Sequence, residues 1–130
     1  MHRFEKLEVW KDAVEMVTEI YSITKCFPND EIFGLTTQMR RCAVSIPANI
    51  AEGSCRNNPK EFKHFLGISA GSTAELITHL HIAIKLNLIE EEKTQEIFAK
   101  LNSIQNRNFA LQRKLEINKL ANASGKGPNT

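Results

Sequence analysis

The chain has 130 residues, 42% hydrophobic and 25% charged, a composition that indicates one globular domain and excludes a mostly disordered chain. The formal net charge is only +2, and three cysteines without Cys-x-x-Cys spacing predict neither a disulfide framework nor a zinc site. Because the charged start, Met1–Lys6, lacks the apolar core of a signal peptide, we expect a soluble, cytoplasmic protein.

The first predicted helix runs from about Glu8 to Lys25. One of its faces carries apolar or small residues at helical spacing, namely Ala13, Val17, Ile20 and Thr24. The segment Phe27-Pro28-Asn29-Asp30 ends this helix, because proline and the Asn-Asp pair favour a turn.

The second predicted helix runs from about Glu31 to Cys55 and contains a proline, Pro47. Its apolar face is predicted to consist of Leu35, Met39, Cys42, Ile46 and Ile50. Pro47 has no N–H to donate and therefore frees the carbonyl of Ala43. We expect a bend there, with Ser45 helping to satisfy that carbonyl.

The third predicted helix has the clearest start signal, with Asn58 as N-cap, Pro59 at the first helical position and Glu61 in the first turn. It extends to about Leu86. One face is almost bare of side chains, since it carries Gly67, Gly71, Ala74 and Thr78. Such a face allows another backbone to approach closely, either within the chain or from a second subunit.

The fourth predicted helix opens at Glu90–Glu92 and reaches about Leu120. Its core face is predicted to be Ile97, Leu101, Ile104, Leu111 and Leu115, interrupted by Asn108. Residues 121–130 are small and polar, so we predict a four-helix domain at residues 1–120 followed by a disordered C-terminal tail. Four helices with short connections predict an all-α, antiparallel four-helix bundle.

Metal and catalytic chemistry have weak signals in this sequence. Glu61 and His64 show the Glu-x-x-His spacing of di-iron bundles, but a second copy of that spacing is missing. We therefore interpret them as a first-turn glutamate and a solvated histidine, and predict no metal, no cofactor and no enzymatic activity.

The remaining histidines and Cys42 are interpreted in the same way. His79 and His81 lie about 200° apart around a helix, so they cannot share one ligand. Glu75 and His79, four residues apart, are interpreted as a surface or edge pair, and Cys42 as a small core residue.

Basic residues are the stronger functional signal. The first 31 residues hold four Lys/Arg against seven Asp/Glu, whereas residues 93–130 hold seven against two. Lys93, Lys100, Arg107 and Lys114 recur every seven residues, a spacing that suits either a phosphate backbone or the acids of the first helix. The candidate nucleic-acid-binding residues are Arg40, Arg41, Arg56, Lys60, Lys63, Lys100, Arg107 and Lys114.

Three stretches of the sequence resemble the 23S rRNA intervening-sequence proteins, a bacterial family of four-helix bundles. They are FEKLEVWKDAVEM, GLTTQMRRCAVSIPANIAEG and EFKHFLGISAGSTAEL, within a resemblance over roughly residues 4–117. The most specific part is a motif formed by Ser45, Ile46, Pro47, Asn49, Ile50, Ala51, Glu52 and Gly53.

This resemblance implies an up-down-up-down bundle that assembles as a homopentamer with a central channel. It also implies a relation to the accessory variability determinant of diversity-generating retroelements, which binds a reverse transcriptase and nucleic acid. The family has no established catalytic residues to transfer. We therefore expect a non-enzymatic oligomer that associates with RNA, such as rRNA, or with an RNA-bound protein. The alternative is a structural or protein-interaction assembly without a nucleic-acid role. A third hypothesis, with the weakest sequence support, is a ligand- or metal-binding bundle.

Overall fold

The computed structural model describes residues 3–31 and 34–125, and every regular element within these ranges is helical. The four α-helices are α1 (Glu8–Lys25), α2 (Leu35–Ser54), α3 (Pro59–Lys85) and α4 (Gln95–Gly125). Short 3-10 helices occupy Phe4–Lys6, Asn29–Glu31 and Glu91–Thr94. The all-α, four-helix prediction is confirmed.

The sequence predicted some helix ends accurately and others less accurately. Helix α1 has the predicted bounds, and the Asn58 side chain caps α3 by accepting bonds from the N–H groups of Lys60 (2.8 Å) and Glu61 (3.2 Å). The predicted start of α2 at Glu31 was four residues early. Glu31 lies in a 3-10 turn, and its carboxylate accepts a bond from the N–H of Leu35 at 3.3 Å.

Helix α4 also starts later than predicted and continues further. Glu91–Thr94 form a 3-10 turn, in which the buried Thr94 hydroxyl donates to the Glu91 carbonyl at 2.6 Å. The α-helical backbone then runs from Gln95 to Gly125, past the predicted end at Leu120. The rest of the predicted tail, residues 126–130, lies outside the described residues.

The four helices surround one hydrophobic core, because α1 and α3 each pack against both α2 and α4. Fully buried side chains come from every helix, including Met16, Ile20, Met39, Ile46, Ile50, Phe62, Leu66, Leu76, Leu80, Leu101 and Ile104. The predicted apolar face of α2 is confirmed, with Leu35 partly buried at its edge and Pro47 buried inside the helix. Burying one large apolar side chain contributes about 1.5–3 kcal/mol.

Asn108, which interrupts the apolar face of α4, is buried within the core. Its side-chain amide donates to the Leu66 carbonyl on α3 at 3.0 Å, and its oxygen accepts a bond from Gln112 at 2.7 Å. A buried amide satisfied in this way fixes the position of α4 along α3, because sliding either helix would leave polar groups unpaired.

Candidate functional site

The adjacent arginines Arg40 and Arg41 have different environments. Arg40 reaches across to α1, where its Nε donates to Thr24 Oγ1 at 2.8 Å and its guanidinium lies 4.5 Å from the centre of the Tyr21 ring. Arg41 is exposed at the same helix pair. Arg40 therefore connects α1 with α2, and Arg41 is the one that faces solvent.

A second basic group surrounds the turn between α2 and α3. Arg56 pairs with Glu52 at 2.7 Å and with Glu61 at 3.6 Å, and Lys63 pairs with Glu116 of α4 at 2.9 Å. Glu61 lies in the first turn of α3, the position that the sequence predicted for it.

Within this second group, Lys60 is exposed and shares a shallow groove with Lys63. Among the described residues, Lys60 has no ion-pair partner, whereas Lys63 has one.

A third basic group lies on α4 and faces the acids of α1. Lys100 Nζ contacts Glu19 at 2.8 Å and Glu15 at 3.2 Å, and Arg107 contacts Asp12 at 2.8 Å. The hydrogen bond to Glu19 raises the pKa of Lys100 above its usual range. The seven-residue spacing on α4 suited either a phosphate backbone or the acids of the first helix. Lys100 and Arg107 pair with the acids of the first helix.

Seven of the eight candidate cations thus fall into three groups with different neighbours, and the eighth is Lys114. In the described part of the chain, no carboxylate lies within ion-pair distance of Arg41, Lys60 or Lys114. Lys114 is exposed on α4. These three cations project positive charge outward with the least neutralisation by the protein itself.

The residues of the sequence motif connect α2 to α3. Ser45 Oγ lies 2.8 Å from Ser72 Oγ of α3 and accepts a bond from Asn49 at 2.9 Å, so it is engaged away from the Ala43 carbonyl that we expected it to help satisfy. About one turn earlier on α3, the Ser69 hydroxyl donates to the Ile46 carbonyl at 2.9 Å. We call this contact surface the α2–α3 seam.

Gly53 lies in the seam at a point where α2 and α3 approach each other closely. A Cβ atom added to Gly53 would lie 2.8 Å from Phe65 Cβ and 3.1 Å from the Phe62 carbonyl oxygen. Both distances are shorter than side chains tolerate without a shift. Glycine is therefore required here by close approach, a role that the motif alone did not identify.

The small-residue face of α3, which consists of Gly67, Gly71, Ala74 and Thr78, is exposed along its whole length. A Cβ atom added to either glycine would have no neighbour within 4 Å. Two large exposed residues, Ile68 and Ile82, flank it, each with 41% of its surface accessible. Within the described chain, no helix covers this face.

One cluster of metal-ligating side chain types occurs in the described residues. Cys42 of α2 and Glu75 and His79 of α3 have ligand atoms that all lie within 4.8 Å of one another. Burial and a hydrogen bond to Glu75 raise the pKa of the Cys42 thiol to about 12, so the thiol is protonated at neutral pH. The sequence analysis treated these residues separately, as a core cysteine and a surface or edge pair.

The other histidines of α3 lie elsewhere. His64 contacts the Phe65 ring edge-on with centroids 5.3 Å apart, and His81 lies against Phe98 of α4 at 4.7 Å. Neither joins a cluster of ligating side chains in the described ranges.

Fold and surfaces together define a class: an all-helical, four-helix protein in which four of the eight candidate cations form ion pairs and a small-residue face of α3 is exposed. No described helix has the length and apolar character needed to span a bilayer. The family model of the 23S rRNA-intervening sequence proteins matches residues 5–109, and the chain belongs to this family. A comparison with curated proteins gives no match.

Proposed function

We propose that this chain is a non-enzymatic, self-associating bundle that acts in the cytoplasm and attaches to RNA, or to an RNA-bound protein, through its exposed cations. The observation that carries the proposal is the open small-residue face of α3, where both glycines have empty space beside them. Family membership supports the connection to rRNA.

The proposal includes an antiparallel up-down-up-down arrangement and a homopentameric assembly, as the resemblance implies. Three α3–α4 contacts support the antiparallel direction, because residue numbers fall along α4 as they rise along α3. These contacts are Lys63–Glu116, Leu66–Asn108 and Ala70–Gln105.

A second copy of the chain is the proposed occupant of the small-residue face. A glycine in a helix interior costs about 1 kcal/mol relative to alanine, so two exposed glycines weaken α3 unless close approach by another helix compensates. The flanking Ile68 and Ile82 supply apolar surface at the edges of such a contact. Self-association would bury both features at once.

The assembly is tested by light scattering on wild type and on Gly71→Leu, which places a large side chain on the face. We expect wild type to have a mass several times that of the 14.7 kDa chain and Gly71→Leu to be smaller. Asn102→Leu, at an exposed position of α4, is the matched control and should assemble like wild type. A wild-type mass equal to one chain at micromolar concentration would refute self-association.

RNA attachment is proposed to be electrostatic, because no base-reading motif is visible and phosphate contacts carry no sequence information. Arg41, Lys60 and Lys114 are the proposed principal contacts, since the protein leaves them without an acidic partner among the described residues. In an oligomer each cation would occur once per subunit. Several modest phosphate contacts would then act together, because the first contact raises the effective concentration for the next. The pairing of Lys100 and Arg107 with α1 favours the alternative, an assembly without a nucleic-acid role.

A salt titration of binding to structured rRNA fragments separates these functions. The double variant Arg41→Gln/Lys60→Gln should bind more weakly, and the slope of log K against log salt should flatten by about 2 if each residue contacts one phosphate. The matched double variant Lys100→Gln/Arg107→Gln also removes one arginine and one lysine, and should change the slope less. Equal effects would overturn the assignment of the contacts, and no wild-type binding at about 50 mM salt would favour the alternative.

A further inference from the structure

The cluster of Cys42, Glu75 and His79 lies at the α2–α3 seam, where both helices are held in register. Glu75 and His79 are four residues apart, so they lie on the same face of α3. The Ser45–Ser72 contact lies three residues from Cys42 along α2 and three from Glu75 along α3. The two sides of the cluster therefore meet through the packing of the fold and not through a chance surface contact.

His79 provides an independent observation that points to a missing partner. Both of its ring nitrogens are buried, and neither has a hydrogen-bond partner within the described residues. Its Nε2 lies 3.6 Å from Glu75 Oε2, too far for a hydrogen bond. Because buried polar atoms in folded proteins are nearly always satisfied, an imidazole with two unpaired nitrogens requires an explanation.

We propose that Cys42, Glu75 and His79 form a binding site for a divalent transition-metal ion of the zinc type. Cysteine sulfur, histidine nitrogen and carboxylate oxygen are the ligands that Zn²⁺ takes in proteins, and water commonly fills a fourth position. Tetrahedral Zn²⁺ with bonds of about 2.0–2.3 Å places its ligand atoms roughly 3.5 Å apart. The observed limit of 4.8 Å is close enough for small side-chain rotations to reach this geometry.

The ion would replace the thiol proton as the positive partner of Glu75 and would satisfy one nitrogen of His79. Binding would release a proton, because the thiolate and not the thiol is the metal ligand. An ion held by one residue of α2 and two of α3 would connect these helices. It would therefore stabilise the folded chain by an amount that grows with the logarithm of the ion concentration once this exceeds the dissociation constant.

Cobalt(II) is the probe for this site, because a thiolate ligand gives Co²⁺ a charge-transfer absorption and tetrahedral coordination gives it intense visible bands. The titration uses the background Cys26→Ser/Cys55→Ser, which removes the two exposed cysteines and leaves Cys42 as the single thiol. We expect one Co²⁺ per chain with both spectral signatures, and displacement of Co²⁺ by Zn²⁺. Absence of the thiolate band would overturn the proposal.

Three further substitutions in this background test the ligands. Cys42→Ser should abolish the thiolate band, and His79→Gln and Glu75→Gln should each weaken Co²⁺ binding at least tenfold. His64→Gln, which changes an exposed histidine outside the cluster, should bind as tightly as the background.

Circular dichroism identifies any variant that fails to fold, and Glu75→Gln provides the safest comparison because the Glu75 side chain is 55% exposed. At the same Zn²⁺ concentration, the thermal midpoint should rise more in the background than in His79→Gln. Unchanged cobalt spectra in both His79→Gln and Glu75→Gln would refute the site, whatever the outcome of the RNA and assembly experiments.

Discussion

Helix α3 has two sides with opposite character, and glycine serves a different purpose at each. At the α2–α3 seam, Gly53 of α2 lies against Phe62 and Phe65 with no room for a Cβ atom. On the exposed side, Gly67 and Gly71 have empty space around them. The first glycine is explained by the fold of one chain, whereas the other two are not. That difference is why we propose that the exposed side contacts a second copy.

The largest expected effect comes from filling the space at Gly53. Gly53→Ala places a Cβ atom against Phe65 and the Phe62 backbone, so the helices must separate locally. Overpacking of this kind costs typically about 1–3 kcal/mol, more than the helix propensity of alanine returns. We expect a lower free energy of unfolding in urea by about that amount. Wild-type stability in Gly53→Ala would show that the seam adapts more easily than its distances suggest.

Gly71→Ala is the counterpart on the open side and should act in the opposite direction on a single chain. Alanine gains about 1 kcal/mol in helix propensity and meets no neighbour. At chain concentrations low enough to keep the protein monomeric, we expect a higher free energy of unfolding. At high concentration, the added methyl group should weaken the proposed self-association, measured by sedimentation velocity. A variant that gains stability and keeps wild-type assembly would show that the face is not the interface.

The seam also contains polar contacts whose contribution is smaller. Ser45→Ala removes the contact with Ser72 and one bond from Asn49. Because the pair is only partly buried, we expect a loss of about 0.5–1.5 kcal/mol in the free energy of unfolding. A double-mutant cycle with Ser72→Ala measures the coupling directly, and additive effects of the two substitutions would mean that the hydroxyl pair contributes nothing.

The sequence predicted a structural feature well where residues nearby in the chain determine that feature. The bounds of α1 and the Asn58 cap of α3 follow from residues within one or two turns, so the sequence predicted them. The start of α2 was misplaced because the Glu31 carboxylate caps a helix that begins four residues later. Pro47 was correctly placed inside α2, since the surrounding apolar spacing continues on both sides of it.

The functional surfaces depend on long-range packing, which the sequence does not display. Cys42 and Glu75 are 33 positions apart, and they meet because of the α2–α3 register. The seven-residue spacing on α4 placed Lys100 and Arg107 on one flank but left open whether that flank faced acids or solvent. The open space beside Gly67 and Gly71 likewise became visible only once all four helices were in place.

The contact between α1 and α4 is a third kind of surface, held at its edge by charges, and it gives the smallest expected effect. Lys100 is hydrogen-bonded to Glu19 and its pKa is raised, so the folded chain holds this proton more tightly than the unfolded chain. The stabilisation is therefore fully present below the ordinary lysine pKa of 10.5 and is lost as the pH rises through the higher folded value. Partly exposed ion pairs contribute about 0.2–1 kcal/mol.

Lys100→Met keeps the apolar stem of the side chain and removes its charge. We expect the variant to unfold more easily than wild type in urea at pH 8, and the difference to shrink at pH 11, where wild type has begun to lose the same charge. Lys93→Met is the matched control, because Lys93 pairs with Glu90 at 3.8 Å and both side chains are about 70% exposed. It should change stability little at either pH. A Lys100→Met deficit that stays constant between pH 8 and pH 11 would mean that Lys100 stabilises α1 against α4 by packing and not by its charge.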